Sequence, residues 1–109
     1  MKKFTILIPV YNDWDSLKKL LNKINDSIKK FSNVEFNCVI VNDSSPINSY
    51  EIKIPSEIKS IKIIHMNKNR GHARCNAFGI KYLSKKQDLD YVILMDGDGE
   101  DRPEEIKLL

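Results

Sequence analysis

The sequence predicts an α/β domain built on a mostly parallel β-sheet with helices on its faces. Short apolar segments that contain β-branched residues alternate along the chain with longer segments of helical periodicity. The first apolar segment is nearly continuous, which is typical of a strand buried on both faces of a parallel sheet. Polar or acidic residues follow three of the apolar segments, at the end of the strands where such sheets bind ligands.

The first strand is predicted at Phe4–Ile8 and ends at Pro9, which cannot donate a hydrogen bond to a neighbouring strand. A helix is then predicted through Lys30, with Asp13 or Asp15 as its capping residue. Apolar residues recur at helical spacing along one face of that segment, namely Leu17, Leu20, Leu21, Ile24, Ile28 and Phe31.

The remaining segments continue the alternation of strand and helix. Strands are predicted at Val34–Val41, Ser60–His65 and Tyr91–Met95, a helix at Ala73–Leu83, and a terminal helix that begins near Pro103. Residues 47–59 show no period and are expected to form an irregular connection. The inward face of the second helix is predicted to consist of Ala73, Ala77, Ile80 and Leu83.

The length and composition indicate one soluble domain. A chain of 109 residues can bury a core of its own, and 41% hydrophobic with 30% charged residues is ordinary for a globular protein. No apolar run approaches the roughly 20 residues that span a bilayer, and no secretory signal follows the basic start. We therefore predict a cytoplasmic protein in which Cys38 and Cys75 are free thiols.

The net charge of +3 is divided unevenly along the chain. Residues 88–109 carry eight acids and two bases, a balance of −6, so the preceding residues carry +9. The lysines are scattered over positions expected to face solvent, without interleaved aromatic residues. Because a nucleic-acid footprint clusters on one face, nucleic-acid binding is not predicted.

The last apolar run passes directly into Asp96-Gly97-Asp98-Gly99-Glu100. Two carboxylates one residue apart at the end of a strand concentrate negative charge, which favours a hard divalent cation such as Mg²⁺ or Mn²⁺. The two glycines leave room for a large group to approach the backbone. This DxD motif predicts a metal–diphosphate site, and the alternative is a polar turn before a helix.

The motifs of other nucleotide sites are absent. The turn after the first strand, Pro9–Asp13, contains no glycine, which excludes both the dinucleotide fingerprint and the P-loop. An EF-hand that begins at Asp96 would place Asp101 where glycine is invariant. Because Tyr11–Asp13, Asn42-Asp43 and Asp96–Asp98 all follow strands, we expect them to converge on one edge of the sheet.

Four segments resemble family 2 glycosyltransferases in the same order and spacing. They are IPVYND at residues 8–13, VNDSS at 41–45, NRGH at 69–72 and DGD at 96–98. The segments at 69–80 and 98–105 are most similar to the branch that contains the dolichyl- and polyprenyl-phosphate sugar transferases. The resemblance covers essentially the whole chain.

The resemblance implies the Rossmann-like, nucleotide-sugar half of a GT-A fold, which binds a UDP- or GDP-linked sugar with Mg²⁺ or Mn²⁺. It implies that Tyr11 packs on the base and that Asp43 accepts hydrogen bonds from base N–H groups. Asp96 is implied to contact ribose or phosphate, and Asp98 to hold the metal, with Glu100 and Asp96 as further ligands. The implied nucleotide-sugar pocket comprises Pro9, Tyr11, Asp13, Val41, Asp43, Asp96, Gly97 and Asp98.

The sequence departs from the family pattern in two ways. Asn42 stands where the family commonly has the first of two aspartates, and we expect this to be tolerated because Asp43 is the implied base reader. Family members also continue into an acceptor half that supplies the general base. Residues 1–109 are therefore expected to be one donor-binding domain, truncated before that half and without an assignable base. A lipid-phosphate acceptor would place the protein at the inner face of the membrane.

The candidate residues also have purely structural explanations. Tyr11 alternatively covers the sheet edge, Asp43 forms an Asx turn and His72 packs at a helix start. The resemblance also implies that Arg70 or Arg74 neutralises phosphate charge. Two other functions stay open. One is a non-catalytic nucleotide-binding or interaction module. The other is a haloacid-dehalogenase-like phosphotransferase, in which a similar motif lies on the first strand.

Overall fold

The computed structural model describes residues 2–44, 52–86 and 89–95. These residues form β1 (Lys2–Val10), α1 (Trp14–Ile28), β2 (Val34–Asn42), β3 (Ser60–His65), α2 (His72–Ser84) and β4 (Tyr91–Leu94). The α/β class and the order of elements are therefore confirmed. Residues 52–59 contain no strand or helix, as predicted, whereas residues 47–51 and the helix predicted near Pro103 lie outside the described residues.

The four strands form one parallel sheet in the order β3-β2-β1-β4. Ile6 on β1 is the register partner of Cys38 on β2 and of Ile93 on β4, and Cys38 is in turn paired with Ile61 on β3. Because all strands run the same way, their carboxyl ends lie at one edge of the sheet. That edge is the expected position of a ligand site.

Helix α1 covers one face of the sheet. The Asp13 side chain caps its first turn by accepting a hydrogen bond from the Ser16 N–H at 3.3 Å. The predicted apolar stripe is buried from Leu17 to Ile28, as is Trp14 at the start of the helix. It packs against the sheet residues Phe4, Ile6, Ile8, Phe36, Cys38 and Ile40, which form the larger core cluster. The helix ends at Ile28, earlier than predicted, and Phe31 is only partly buried beyond it.

Helix α2 covers part of the opposite face, and its predicted inward face was wrong. Ala73, Ala77 and Ile80 are exposed, and only Leu83 of the predicted set is buried. Cys75, Gly79 and Leu83 face the sheet instead. The helix turns this way because Gly79 allows close approach: a Cβ on it would lie 2.5 Å from the Leu7 Cδ1 atom.

The α2 side of the sheet is only partly covered. Val92 and Leu94 on β4 are register partners of Thr5 and Leu7, so they share the face on which α2 packs. Both are nevertheless exposed, as are Phe78 and Ile80 on α2. Within the described parts of the chain, neither helix is long and apolar enough to cross a membrane.

Candidate functional site

The end of β1 places Tyr11 at the carboxyl edge of the sheet. Pro9 is almost completely buried, whereas the Tyr11 side chain is 43% exposed. Asn12 follows with φ of 56°, a left-handed conformation that turns the chain from β1 into α1. Asp13 then caps α1. Tyr11 is therefore a surface aromatic ring available to a ligand, and Asp13 has a structural task at the same edge.

Beneath this edge the two central strands are closely paired. Pro9 on β1 and Val41 on β2 are register partners, and both are buried. The Asp43 N–H donates to the Val10 carbonyl at 2.8 Å, which extends the pairing one residue past β2. Pro9 and Val41 are thus buried beneath the carboxyl edge, and Tyr11 and Asp43 each follow the last residue of the strand that contains one of them.

Asn42 contacts the neighbouring strand. Its side-chain Nδ2 lies 2.9 Å from Nδ1 of His65, the register partner of Asn42 on β3. Nδ2 is the donor of this hydrogen bond, because an amide nitrogen carries no lone pair that accepts one. A neutral amide therefore occupies the position at which family 2 glycosyltransferases commonly have an aspartate. Its hydrogen bond links β2 to β3.

Asp43 is the most enclosed polar group at the edge, with 1% exposure. Its Oδ1 accepts a hydrogen bond from the Arg70 backbone N–H at 2.6 Å, and its Oδ2 accepts one from the Gly71 N–H at 2.8 Å. Gly71 is the N-cap residue of α2, which has no side-chain cap of its own. The carboxylate at the end of β2 therefore binds the backbone at the start of α2.

Cys75 is a third neighbour of this carboxylate. The residue is buried, and burial, a hydrogen bond to Asp43 and the negative charge of Asp43 raise the pKa of its thiol from 9.0 to about 12. The thiol is consequently protonated at neutral pH, so it can donate to Asp43 but is a poor nucleophile. Its place is structural, as the sequence indicated.

The backbone partners of Asp43 were not predicted. Arg70 and Gly71 lie 27 and 28 residues further along the chain, and the donors are main-chain groups. The pattern of side chains in a sequence does not indicate hydrogen bonds that main-chain N–H groups donate. The one available hint was the Arg70-Gly71 step before a predicted helix, since glycine favours the positive φ of 84° that Gly71 adopts.

The predicted metal residues Asp96, Gly97, Asp98 and Glu100 lie outside the described residues. Within residues 2–44, 52–86 and 89–95, no three His, Cys, Asp or Glu side chains form a group that could hold a metal. The described part of β4 leads to the candidate edge, because the Met95 N–H donates to the Leu7 carbonyl at 3.0 Å. Asp96 is the next residue in the sequence.

Two cavities lie away from this edge. One of about 360 Å³ is formed between α1 and the segment at residues 52–55. The other, of about 420 Å³, lies over the first half of the strands, where lysines surround Glu35. The Lys59 ammonium donates to Glu35 at 2.9 Å and lowers the pKa of that carboxyl. Neither cavity includes Tyr11 or Asp43, so neither is the candidate site.

Comparison with known proteins identifies the family of the chain. The family model described as "Glycosyl transferase family 2" matches residues 5–109. The chain is also 31% identical, over 110 aligned positions, to the undecaprenyl-phosphate 4-deoxy-4-formamido-L-arabinose transferase of Proteus mirabilis (strain HI4320). That alignment covers all of this chain and 33% of the relative, so the chain spans about a third of the relative's length. The chain belongs to glycosyl transferase family 2.

Proposed function

We propose that this chain is the donor-binding part of a glycosyltransferase. It binds a nucleoside-diphosphate sugar, UDP- or GDP-linked, at the carboxyl edge of the sheet. The observation that carries the proposal is the position of Tyr11 and Asp43, which follow directly from the adjacent strands β1 and β2 at that edge. Membership of family 2 supports the same reaction class, and it favours this function over a haloacid-dehalogenase-like phosphotransferase.

The nucleoside end of the donor lies against the β1 and β2 ends in this proposal. Tyr11 offers an exposed ring face on which a base can stack. Pro9 and Val41 support the pocket from below as buried residues, and Asp13 holds the turn by capping α1. Asp43 lies at the same edge, engaged with the backbone of the loop before α2.

The diphosphate end of the donor is assigned to the residues that follow β4. Asp98, with Asp96 and Glu100, would hold Mg²⁺ or Mn²⁺, and Gly97 leaves room for the phosphates. A bound divalent ion there stabilises the negative charge of the departing nucleoside diphosphate as a Lewis acid. The exposed side chains of Arg70 and Arg74 are further cations near the start of α2. The general base is not assigned to any residue of this chain.

The acceptor is proposed from the relative alone. That protein is named as an undecaprenyl-phosphate 4-deoxy-4-formamido-L-arabinose transferase. Undecaprenyl phosphate is an isoprenoid lipid that carries a phosphate group. We propose a polyprenyl phosphate as the acceptor class, with the protein acting at the inner surface of the membrane.

Isothermal titration calorimetry tests the donor site. We expect UDP or GDP to bind in the presence of Mn²⁺, and Asp98→Ala to reduce the affinity at least tenfold. The matched control is Asp26→Ala, because Asp26 is an exposed carboxylate on α1 paired only with Lys29 among the described residues. Absence of binding by both nucleotides, with the fold intact, would refute the proposal.

The second candidate, a nucleotide-binding module without catalysis, shares the binding result. It differs in turnover, which can be followed as release of nucleoside diphosphate from a labelled UDP- or GDP-sugar with a polyprenyl phosphate present. Metal-dependent binding without any turnover would favour the module, and turnover would exclude it.

A further inference from the structure

We propose that the cavity over the amino half of the sheet is a second binding site, which takes a phosphate group carried by a small molecule or by a lipid. The cavity has a volume of about 420 Å³ and lies between the first residues of β1, β2 and β3 and the end of α2. It is called the amino-edge groove below, and its lining includes Thr5, Asn37, Ser60, Lys62, Tyr82 and Lys86. Natural small-molecule sites have volumes of about 300–1,000 Å³, so the groove is large enough for such a ligand.

The floor of the amino-edge groove is polar, which is unusual for the central strands of a parallel sheet. Thr5 on β1 is the register partner of Asn37 on β2, and Asn37 is paired in turn with Ser60 on β3. This row lies on the α2 face, because Thr5 and Asn37 stand two residues before Leu7 and Val39 of the smaller cluster. Strands of a parallel sheet are ordinarily apolar on both faces. Hydroxyl and amide groups therefore face the groove where the fold would ordinarily have apolar side chains.

Hydrogen bonds between side chains hold this polar floor in place. The Ser60 hydroxyl donates to the Asn37 side-chain carbonyl at 2.6 Å, and the Asn37 amide donates to Glu35 at 3.0 Å. The Lys59 ammonium donates to the other oxygen of Glu35 at 2.9 Å. The positive charge of Lys59 thus offsets the negative charge of Glu35. The arrangement is preorganised, because each of these groups is already oriented by a neighbour before a ligand arrives.

The other lysines of the groove give it an excess of positive charge. Lys3 on β1, Lys62 on β3 and Lys86 after α2 line the groove, and none of them forms an ion pair with a described residue. Four lysines and the carboxylate of Glu35 give the described lining a net charge of +3. Asp90 lies beside this edge, where it accepts the Lys3 backbone N–H at 2.8 Å, and the net charge is +2 when it is included. The groove therefore favours an anion.

The chemistry of the lining indicates which kind of anion fits. Ammonium groups that come from β1, from β3 and from the end of α2 suit an anion with several acceptor oxygens, and lysine binds phosphate in this way as a point charge. The Tyr82 ring and the side chains of Leu83 and Leu89 form an apolar wall beside these cations. A phosphate group with a carbon portion attached would contact both parts of the groove.

The amino-edge groove is separate from the proposed donor site. Tyr11 follows Thr5 by six residues, a distance of about 20 Å along an extended strand. A small ligand in the groove therefore contacts neither Tyr11 nor Asp43, and this inference stands or fails independently of the proposed function. The alternative is that these lysines only hydrate an uncovered part of the sheet. In that case an anion would bind weakly to exposed lysines all over the chain.

An NMR titration with inorganic pyrophosphate, without divalent metal, tests the groove. We expect saturable shifts of the Thr5, Asn37, Ser60 and Tyr82 amides, with a Kd below about 1 mM. Replacing Lys62 and Lys86 together by glutamine should weaken this binding at least tenfold, because two of the cations are removed. The matched control is the double change Lys19→Gln and Lys23→Gln, at two exposed lysines of α1, which should leave the affinity unchanged.

Sedimentation with lipid vesicles distinguishes the two sources of phosphate. Vesicles of equal parts phosphatidylglycerol and phosphatidylcholine are compared with vesicles of phosphatidylcholine alone. Binding to the phosphatidylglycerol vesicles that the double change at Lys62 and Lys86 abolishes assigns the groove to a lipid headgroup, whereas pyrophosphate binding alone assigns it to a soluble phosphate ester. The inference is overturned if neither probe binds, if the α1 control loses as much affinity as the groove variant, or if pyrophosphate shifts the Tyr11 and Asp43 amides instead of those of the groove.

Discussion

The two faces of the sheet are covered very differently. On the α1 face, the row formed by Ile61, Cys38, Ile6 and Ile93 crosses all four strands and packs within the larger core cluster. On the α2 face, a smaller cluster of Leu7, Val39, Val41, Cys75 and Leu83 is buried, while apolar side chains beside it are exposed. The first face holds most of the apolar burial, and burial is the main source of folding free energy.

The candidate site belongs to the weaker face. The two hydrogen bonds that Asp43 accepts join the end of β2 to the start of α2, and Cys75 beside Asp43 belongs to the smaller cluster. Ligand-binding elements are commonly drawn from the less stable parts of a protein, because they must adjust when a ligand arrives. We therefore expect the α2 side to open more readily than the α1 side.

The largest expected difference between the faces comes from removing one leucine from each helix. Leu20 is 1% exposed in the larger cluster, and Leu83 is 4% exposed in the smaller one. We expect Leu20→Ala to lower the free energy of unfolding by about 4 kcal/mol and Leu83→Ala by about 2 kcal/mol. Urea denaturation measures both. Equal losses would contradict the contrast between the faces.

The two buried thiols give the next largest effect, because each face contains one. Burial raises the pKa of the Cys38 thiol from 9.0 to about 12, and the Cys75 thiol is raised to a similar value. The unfolded chain loses these protons near pH 9 and the folded chain near pH 12. Stability is therefore full below pH 9 and falls as pH rises between these values, by about 1 kcal/mol per thiol and pH unit.

The rate at which each thiol reacts with a thiol reagent also distinguishes the two faces. At about pH 8 we expect Cys75 to react with a disulfide reagent before Cys38, because local opening of the α2 side is easier. The variants Cys38→Ala and Cys75→Ala assign the two rates, and each should flatten the alkaline loss of stability. Faster reaction of Cys38 would argue against a weaker α2 face.

Gly79 tests how closely α2 approaches the sheet. An added Cβ would lie 2.5 Å from Leu7 Cδ1, and Leu7 is fully buried. Overpacking of this kind costs about 2 kcal/mol, and alanine recovers about 1 kcal/mol of helix propensity. We expect Gly79→Ala to lower the unfolding free energy by about 1 kcal/mol. If contact with Leu7 is the cause, Leu7→Ala and Gly79→Ala will be non-additive in a double-mutant cycle.

The smallest predicted effect concerns the start of α1. Asp13 accepts a hydrogen bond from the Ser16 N–H, whereas Asp15 lies within the first helical turn and contributes only its charge. We expect Asp13→Ala to cost about 1 kcal/mol and Asp15→Ala about 0.3 kcal/mol. Thermal unfolding of both variants measures the difference. A larger loss of stability for Asp15→Ala than for Asp13→Ala would indicate that Asp15 caps α1 instead.

The α1 half of the fold was predictable because the spacing of its apolar side chains determines which residues are buried. Apolar residues at strand and helix spacing predicted where β1, β2 and α1 lie, and the buried stripe of α1 was confirmed from Leu17 to Ile28. The predicted end of the first strand at Pro9 was wrong, because β1 runs on through Pro9 to Val10 and stays paired with β2 there. The inward face of α2 was not predicted correctly, because Gly79 lies against the sheet and can do so only without a side chain. Hydrophobic periodicity counts Ile80 as apolar and gives Gly79 little weight, so it predicts the wrong face of the helix to be buried.

The position of the candidate site in the fold was predictable, but the hydrogen bonds that Asp43 makes there were not. Ligands bind beyond the carboxyl ends of parallel strands, and that rule alone indicates Tyr11 and Asp43 from the order of residues in the chain. The partners of Asp43 are backbone amides 27 and 28 residues away, and such long-range bonds carry no residue-type preference. The metal set at Asp96, Asp98 and Glu100 stays a prediction.

The position of β1 in the sheet has a consequence for the order of folding. This first strand lies between β2 and β4, and the Lys3 N–H donates to an Asp90 carboxylate oxygen 87 residues along the chain. One side of β1 can pair once β2 has been synthesised, but the other side stays open until β4 leaves the ribosome. Such long-range pairing slows folding and exposes an apolar strand edge to other chains. Between the synthesis of β2 and that of β4, a nascent chain of this protein therefore carries its first strand paired on one side only.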